Sequence, residues 1–218
     1  MIFNIENKIV QREKVLDYLA DNKFDRVADV GGSLGPWAKE FVTHYFDIVP
    51  PYEMREGAVF IPYDLNQNKV VFDDFEFVIC SQMLEHVYNP EWTLYLLSKL
   101  GYQGYIDVPN KITELTKGVA FSDEGLTRCD LTEHFRGFGP HRWLFTIKED
   151  ALWCFPKMNF LEYMMDIDEW VNKNPDPVAL SFWWKDKIPC KMIDDTYLDF
   201  PDPQKAIEFY RRELFDGQ

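Results

Sequence analysis

Residues 26–36 run Arg26-Val27-Ala28-Asp29-Val30-Gly31-Gly32-Ser33-Leu34-Gly35-Pro36. Arg26 to Val30 is a short apolar stretch broken by one carboxylate, which reads as a buried strand. The glycines that end it allow a tight turn and let backbone approach a bound molecule with no Cβ in the way. Pro36 suits the first turn of a helix, predicted at Trp37 to Tyr45. A strand, a glycine turn and a helix in that order open a sheet of alternating strands and helices. In such sheets ligands sit beyond the carboxyl ends of the strands.

The same alternation extends outward in both directions. Upstream, Glu6 to Asn22 spaces Ile9, Val10, Val15, Leu16 and Leu19 like one face of a helix. Downstream, Tyr45 to Val49 and Ala58 to Pro62 are predicted as the second and third strands, and Phe75 to Cys80 as a continuous apolar one. Asn89 before Pro90 marks a helix start, with Trp92, Leu96 and Leu100 on one face. Gly101 to Gly104 then turns the chain into a strand at Tyr105 to Val108. This pattern predicts an α/β fold, a doubly wound, mostly parallel sheet with helices on both faces. One domain over 1–218 is expected. Within it, the irregular polar stretch at 111–142 reads as a substrate or lid segment. Thr146-Ile147-Lys148-Glu149 reads as a capping box opening a helix. Phe160 to Met164 and Ala179 to Trp184 read as closing strands, and 203–214 as a C-terminal helix.

Composition narrows the functional classes. Hydrophobic residues make up 46 % of the 218 and aromatic ones 17 %, which excludes a disordered chain. A net charge of −14 repels phosphate backbones and anionic lipid, so neither nucleic acid nor membrane is an expected partner. No apolar run approaches the length of a membrane span, and MIFNIENKIVQREKV lacks the pattern of a signal peptide, so a cytoplasmic location is expected. Cys80, Cys129, Cys154 and Cys190 form no Cys-x-x-Cys pair and are expected as thiols. His44, His86, His134 and His141 show no zinc-ligand spacing, so no metal is expected.

The glycine turn does not fit every phosphate-binding pattern. A dinucleotide fingerprint needs Gly-x-Gly-x-x-Gly, but Ser33 and Pro36 stand at its second and third glycine positions. A P-loop needs Gly-Lys-Ser/Thr, which is missing. What is present is an acid followed by Gly-x-Ser-x-Gly: Asp29, Gly31, Ser33, Gly35. This resembles the first motif of class I S-adenosylmethionine-dependent methyltransferases, with serine for the usual middle glycine. The run Phe77 to Pro90, containing Leu84-Glu85-His86-Val87, is similar to the family's fourth strand and following segment in small-molecule enzymes. Asp107-Val108-Pro109-Asn110, after Gly104, is similar to its fifth strand.

The resemblance covers about Arg26 to Asn110 and implies a Rossmann-like, seven-stranded sheet with S-adenosyl-L-methionine as cofactor. It implies that Asp29, Gly31, Gly32, Ser33 and Gly35 hold the amino-acid end. Asp47 takes the ribose hydroxyls, with Glu53 as the fallback. Asp64 meets the adenine amino group, with Leu65 as an apolar face for the ring. Ser81 and Gln82 border the methionine portion.

Methyl transfer from a sulfonium is an in-line displacement, so the protein contributes chiefly by position. An oxygen or nitrogen acceptor also needs a base, and histidine titrates in the right range. His86 and His141 are the candidates, and Arg136 and Arg142 could bind an anionic acceptor. The expected partner is a small-molecule substrate, with O-methylation of a saccharide or other metabolite as the leading reaction. A non-catalytic partner subunit of the same fold is the alternative. A nucleic-acid methyltransferase is disfavoured by charge and by the lack of an Asn/Asp-Pro-Pro-aromatic motif after the fourth strand. The oligomeric state stays open.

Overall fold

The computed structural model describes residues 2–6, 8–67, 73–122, 125–128, 135–173, 179–193 and 203–215; for 2–6, 8–10, 119–122, 125–128 and 203 it describes the backbone alone. In chain order the elements begin β1 (Ile2–Glu6), α1 (Lys8–Asn22), β2 (Val27–Val30), β3 (His44–Asp47), β4 (Val59–Pro62), β5 (Phe77–Ser81), α2 (Pro90–Leu100) and β6 (Gln103–Pro109). They continue with α3 (Lys111–Leu115), β7 (Val119–Ser122), β8 (Gly125–Arg128), β9 (Trp143–Lys148) and β10 (Ala151–Pro156). Last come α4 (Met165–Lys173), β11 (Ala179–Lys185), β12 (Cys190–Met192) and α5 (Pro203–Tyr210). Where one domain is expected from the sequence, the backbone divides into two compact units, 1–108 with 179–190 and 109–178 with 191–218. The expected substrate segment, 111–142, falls in the second.

The first unit carries a seven-stranded sheet in the order β1-β11-β6-β5-β2-β3-β4. The pairs β2/β3, β2/β5, β3/β4 and β5/β6 are parallel, and β1 runs antiparallel to β11. The sheet is therefore mostly parallel and doubly wound, consistent with a Rossmann-like fold. Strands β2 and β5 are buried at every position, as their apolar sequences require. Val15 and Leu19 of α1 pack with Val27, Tyr45, Phe77 and Ile79 in one core. Asn89 caps α2 as expected, its side chain accepting from the Trp92 amide at 2.9 Å. The chain leaves β2 towards β3 and β4 on one side and returns to β5 and β6 on the other. The ends of β2 and β5 thus mark the switch point, the place where open sheets bind ligands.

One expectation here is corrected. Residues 37–41 form turns instead of the predicted helix from Trp37 to Tyr45. The glycine loop uses the chain up to Pro36, and β3 starts at His44. A helix in the remaining residues would rise only about 10 Å, short of the about 13 Å length of a four-residue strand. Looser turns cover the distance, closed by the Phe41 and Val42 amides on the Ala38 carbonyl. The strand β1 was not foreseen. Its partner β11 lies at the other end of the chain, so nothing local announces the pairing.

In the second unit, β12, β10 and β9 make a three-stranded sheet and β7 pairs with β8. Two more expectations are corrected. Thr146 to Glu149 opens no helix: Trp143–Lys148 pairs antiparallel with Ala151–Pro156. Glu149 and Asp150 make the turn, both with φ near +55°, the geometry of a tight hairpin. Asn159–Tyr163 is a 3-10 turn, not a closing strand. The C-terminal helix is found as α5 with a π-helical turn at Arg211–Phe215. Leu144, Phe155, Leu161, Ile167, Tyr210 and Leu214 share its core.

Candidate functional site

In the first unit the polar residues predicted to bind a cofactor gather where the parallel strands end. Gly31 leaves β2 with φ +79°, and a Cβ there would fall on the Met83 side chain. Its amide donates to the Phe46 carbonyl at 2.9 Å, which seats the loop on the neighbouring strand. Asp47 ends β3 and clasps the loop. Its Oδ2 accepts from the Ser33 amide at 3.1 Å and its Oδ1 from the Ile48 amide at 2.6 Å. The side chain is half-buried, and each oxygen accepts one of these two amide bonds. The fallback Glu53 is instead paired with Lys39 at 2.7 Å on the surface.

Asp64 follows β4 and accepts the Asn66 amide at 2.9 Å, while Leu65 beside it is buried. The Tyr63 amide donates to the Asp47 carbonyl at 2.8 Å, so the ends of β3 and β4 are held together. Gly35 closes the glycine loop by donating to the Gly32 carbonyl at 3.1 Å.

Asp29 is 2 % exposed. Its carboxyl lies under the loop, where a Cβ on Gly32 would overlap both oxygens. Oδ1 has no hydrogen-bond partner among the described residues, and neither has the buried Ser33 hydroxyl. Burial, then the nearby Asp47, push the Asp29 pKa up to about 7, against the pull of Arg12. Burial likewise raises the Cys80 thiol well above its ordinary value. That fits a small core residue and not a nucleophile.

Ser81 and Gln82 leave β5 on a network that the sequence reading missed. The Ser81 hydroxyl donates to Asp107 Oδ2 at 2.8 Å and accepts from the Arg12 guanidinium at 2.7 Å. Gln82 Nε2 donates to Asp107 Oδ1 at 2.6 Å, and its amide donates to the Asp107 carbonyl at 2.8 Å. These bonds hold Gln82 at φ +54°, a conformation that costs a non-glycine residue about 1–2 kcal/mol. Arg12 also lies 4.9 Å over the Trp37 ring and 3.7 Å from Asp107. A carboxylate inside the apolar run Tyr105 to Val108 is itself a signal for Asp107. Nothing in the spacing of α1 points to Arg12.

The catalytic candidates divide between the units. His86, in the first, sits in the turn after β5, its amide on the Met83 carbonyl at 3.0 Å. His141, in the second, is nearly enclosed, with Nδ1 2.5 Å from Oε1 of the fully buried Glu114. Glu114 Oε2 accepts from Lys157 Nζ at 3.0 Å, so one carboxylate anchors two cations or donors. Neither Glu114 nor Lys157 was singled out from the sequence. Arg136 is 1 % exposed and committed to its own unit, bonding the Leu115, Leu161 and Met164 carbonyls and Asp168. Arg142 is exposed. His134 and Cys129 lie outside the described residues.

No family model and no curated protein matches the sequence. Among solved structures, similarity extends to magnesium protoporphyrin IX methyltransferase from Synechocystis PCC 6803 with bound SAH. The identity is 19 % and the TM-score 0.34, over 45 % of this chain and 54 % of that one. The chain therefore spans about half the length of that protein. A second is an S-adenosylmethionine-dependent methyltransferase from Mesorhizobium loti, 15 % identical with TM-score 0.39, over 73 % of this chain and 90 % of that one. A third is the methyltransferase domain of bacterial CtHen1, 11 % identical with TM-score 0.46, over 80 % and 97 %. Likenesses at this level leave the chemistry to be read from the side chains themselves.

Proposed function

We propose that the chain is an S-adenosylmethionine-dependent methyltransferase acting on a small-molecule acceptor. The observation that carries this reading is the Asp47 clasp: a half-buried carboxylate at the end of β3 holds the Ser33 amide of the glycine loop at the sheet's switch point. The residues fit the cofactor's chemistry. Asp47 offers two oxygens to a ribose diol, and Asp64 with Leu65 offers an acceptor and an apolar face to adenine. The loop from Gly31 to Gly35, with the unpartnered Ser33 hydroxyl and Asp29 oxygen, offers polar contacts to an amino-acid end.

When bound, S-adenosylmethionine supplies a methyl group on a sulfonium, already a good leaving group. The protein's share is to fix the cofactor and align the acceptor, worth several powers of ten in rate. Ser81 and Gln82 are held by Asp107 and Arg12, so the edge of the site is rigid before anything binds. The base for a hydroxyl acceptor is His86 or His141, the latter oriented by Glu114. Saccharide and other metabolite hydroxyls are the acceptors this reading favours, because a chain of net charge −14 repels polyanions.

A second reading, a methyltransferase-fold subunit without catalysis, is favoured by one observation: turns replace the helix that would follow the glycine loop. Calorimetric titration with S-adenosylmethionine and S-adenosylhomocysteine separates the two, followed by methyl incorporation into candidate acceptors. The enzyme reading expects binding, weakened about tenfold to a hundredfold in Asp47→Ala and unchanged in His86→Ala. Folded protein that binds neither compound at millimolar concentration contradicts it.

A further inference from the structure

We propose that Asp29 selects the charge of the ligand at this site, holding a proton while the site is empty and releasing it to solvent when a cationic amino-acid group binds. The inference rests on the cofactor reading above. Its ground is a cluster whose charges do not balance. Three carboxylates, Asp29, Asp47 and Asp107, face one another across the ends of β2, β3 and β6, and among the described residues Arg12 of α1 is the cation that acts on Asp29. Arg12 is already engaged, donating to Ser81 and lying beside Asp107. Among the described residues, Tyr45 of β3 and Cys80 of β5 are further titratable groups that feel Asp29, and burial keeps both neutral.

Asp47 accepts from two amides, and Asp107 from the Ser81 hydroxyl and the Gln82 amide group. Asp29 has no such support. It is enclosed, its Oδ1 has no donor among the described residues, and Gly32 backbone closes over it. Below about pH 7 the neutral acid is therefore the form the empty site favours, in line with a pKa pushed up to about 7. A ligand ammonium reverses that preference. The O–H bond of the carboxyl breaks, the electron pair stays on the carboxylate, and the proton passes to the buffer. A neutral ligand end gives no such return, so the site discriminates by charge.

The sign follows from linkage. The free protein holds more protons than the complex below about pH 7, so affinity rises with pH up to that point, by up to about tenfold per unit, and levels off above it. The test is calorimetry of S-adenosylhomocysteine, whose amino group is charged throughout, in buffers of different ionisation enthalpy. Proton release per ligand should be large at pH 6 and should fall as the pH rises through about 7, to a small fraction at pH 8. Asp29→Asn should bind without release. Arg12→Gln removes the opposing cation and should carry the release up to pH 8, which keeps the test open if the first variant does not fold. Binding without proton release at pH 6 overturns the proposal, as does release that persists in folded Asp29→Asn or an unmoved profile in Arg12→Gln. Folded protein that binds nothing at any pH overturns instead the cofactor reading beneath it.

Discussion

Arg136 and Asp29 are both enclosed, and their surroundings give them opposite tasks. Arg136 meets a full set of partners: Nε on the Leu161 carbonyl at 2.8 Å, one terminal nitrogen on Leu115 and Asp168 at 2.7 Å, the other on Met164 at 3.0 Å. Its charge is satisfied inside the fold, so it ties α3, the 3-10 turn and α4 together. Arg136→Met would strand three buried carbonyls, each loss worth about 1–3 kcal/mol. We expect urea unfolding to show at least about 3 kcal/mol of destabilisation, and unchanged stability would contradict this role. Asp29 lacks any comparable set of donors, and that imbalance is what makes it responsive to a ligand. From the sequence, the places of Asp29 before the glycine loop and Asp47 at a strand end were legible because glycine turns and strand ends are local features. The acceptors that Arg136 meets come from residues up to thirty-two positions away, so the particular partners that fix its structural role could not be read from spacing.

At the scale of elements, the strands were legible wherever an apolar run is buried on both faces. Phe77–Ser81 and Val27–Val30 are such runs, found within a few residues of their predicted limits. The errors arose where a local pattern fits two structures. Thr146-Ile147-Lys148-Glu149 has the spacing of a capping box, yet its β-branched residues suit a strand, and pairing with β10 decided the matter. The turn that follows escaped notice because Glu149 and Asp150, not glycines, take the left-handed conformation. Gly104 offers a test of how tightly the central strands are joined. It stands opposite Val78 in the β5/β6 pair, and a Cβ there would strike the Val78 carbonyl and the Trp184 ring. Gly104→Ala should therefore lower stability by about 3 kcal/mol, read as a fall in the thermal midpoint. An unchanged midpoint would show that the strands can part at little cost.

For the whole molecule, each unit stands on its own core, one built against the parallel sheet and one against the three-stranded sheet. The net charge of −14 gives the chain a field that concentrates cations and repels polyanions. A cofactor carrying a sulfonium and an ammonium suits that field, and the carboxylates at the ends of β2, β3 and β6 repeat its sign at short range. The central claim is that this first unit holds S-adenosylmethionine beyond the ends of its parallel strands. A crystal structure of the protein grown with S-adenosylhomocysteine tests it most directly. The account predicts the ribose hydroxyls on Asp47, the adenine beside Asp64 and Leu65, and the amino-acid end against the loop from Gly31 to Gly35. A ligand bound elsewhere, or one that leaves Asp47 untouched, would contradict it.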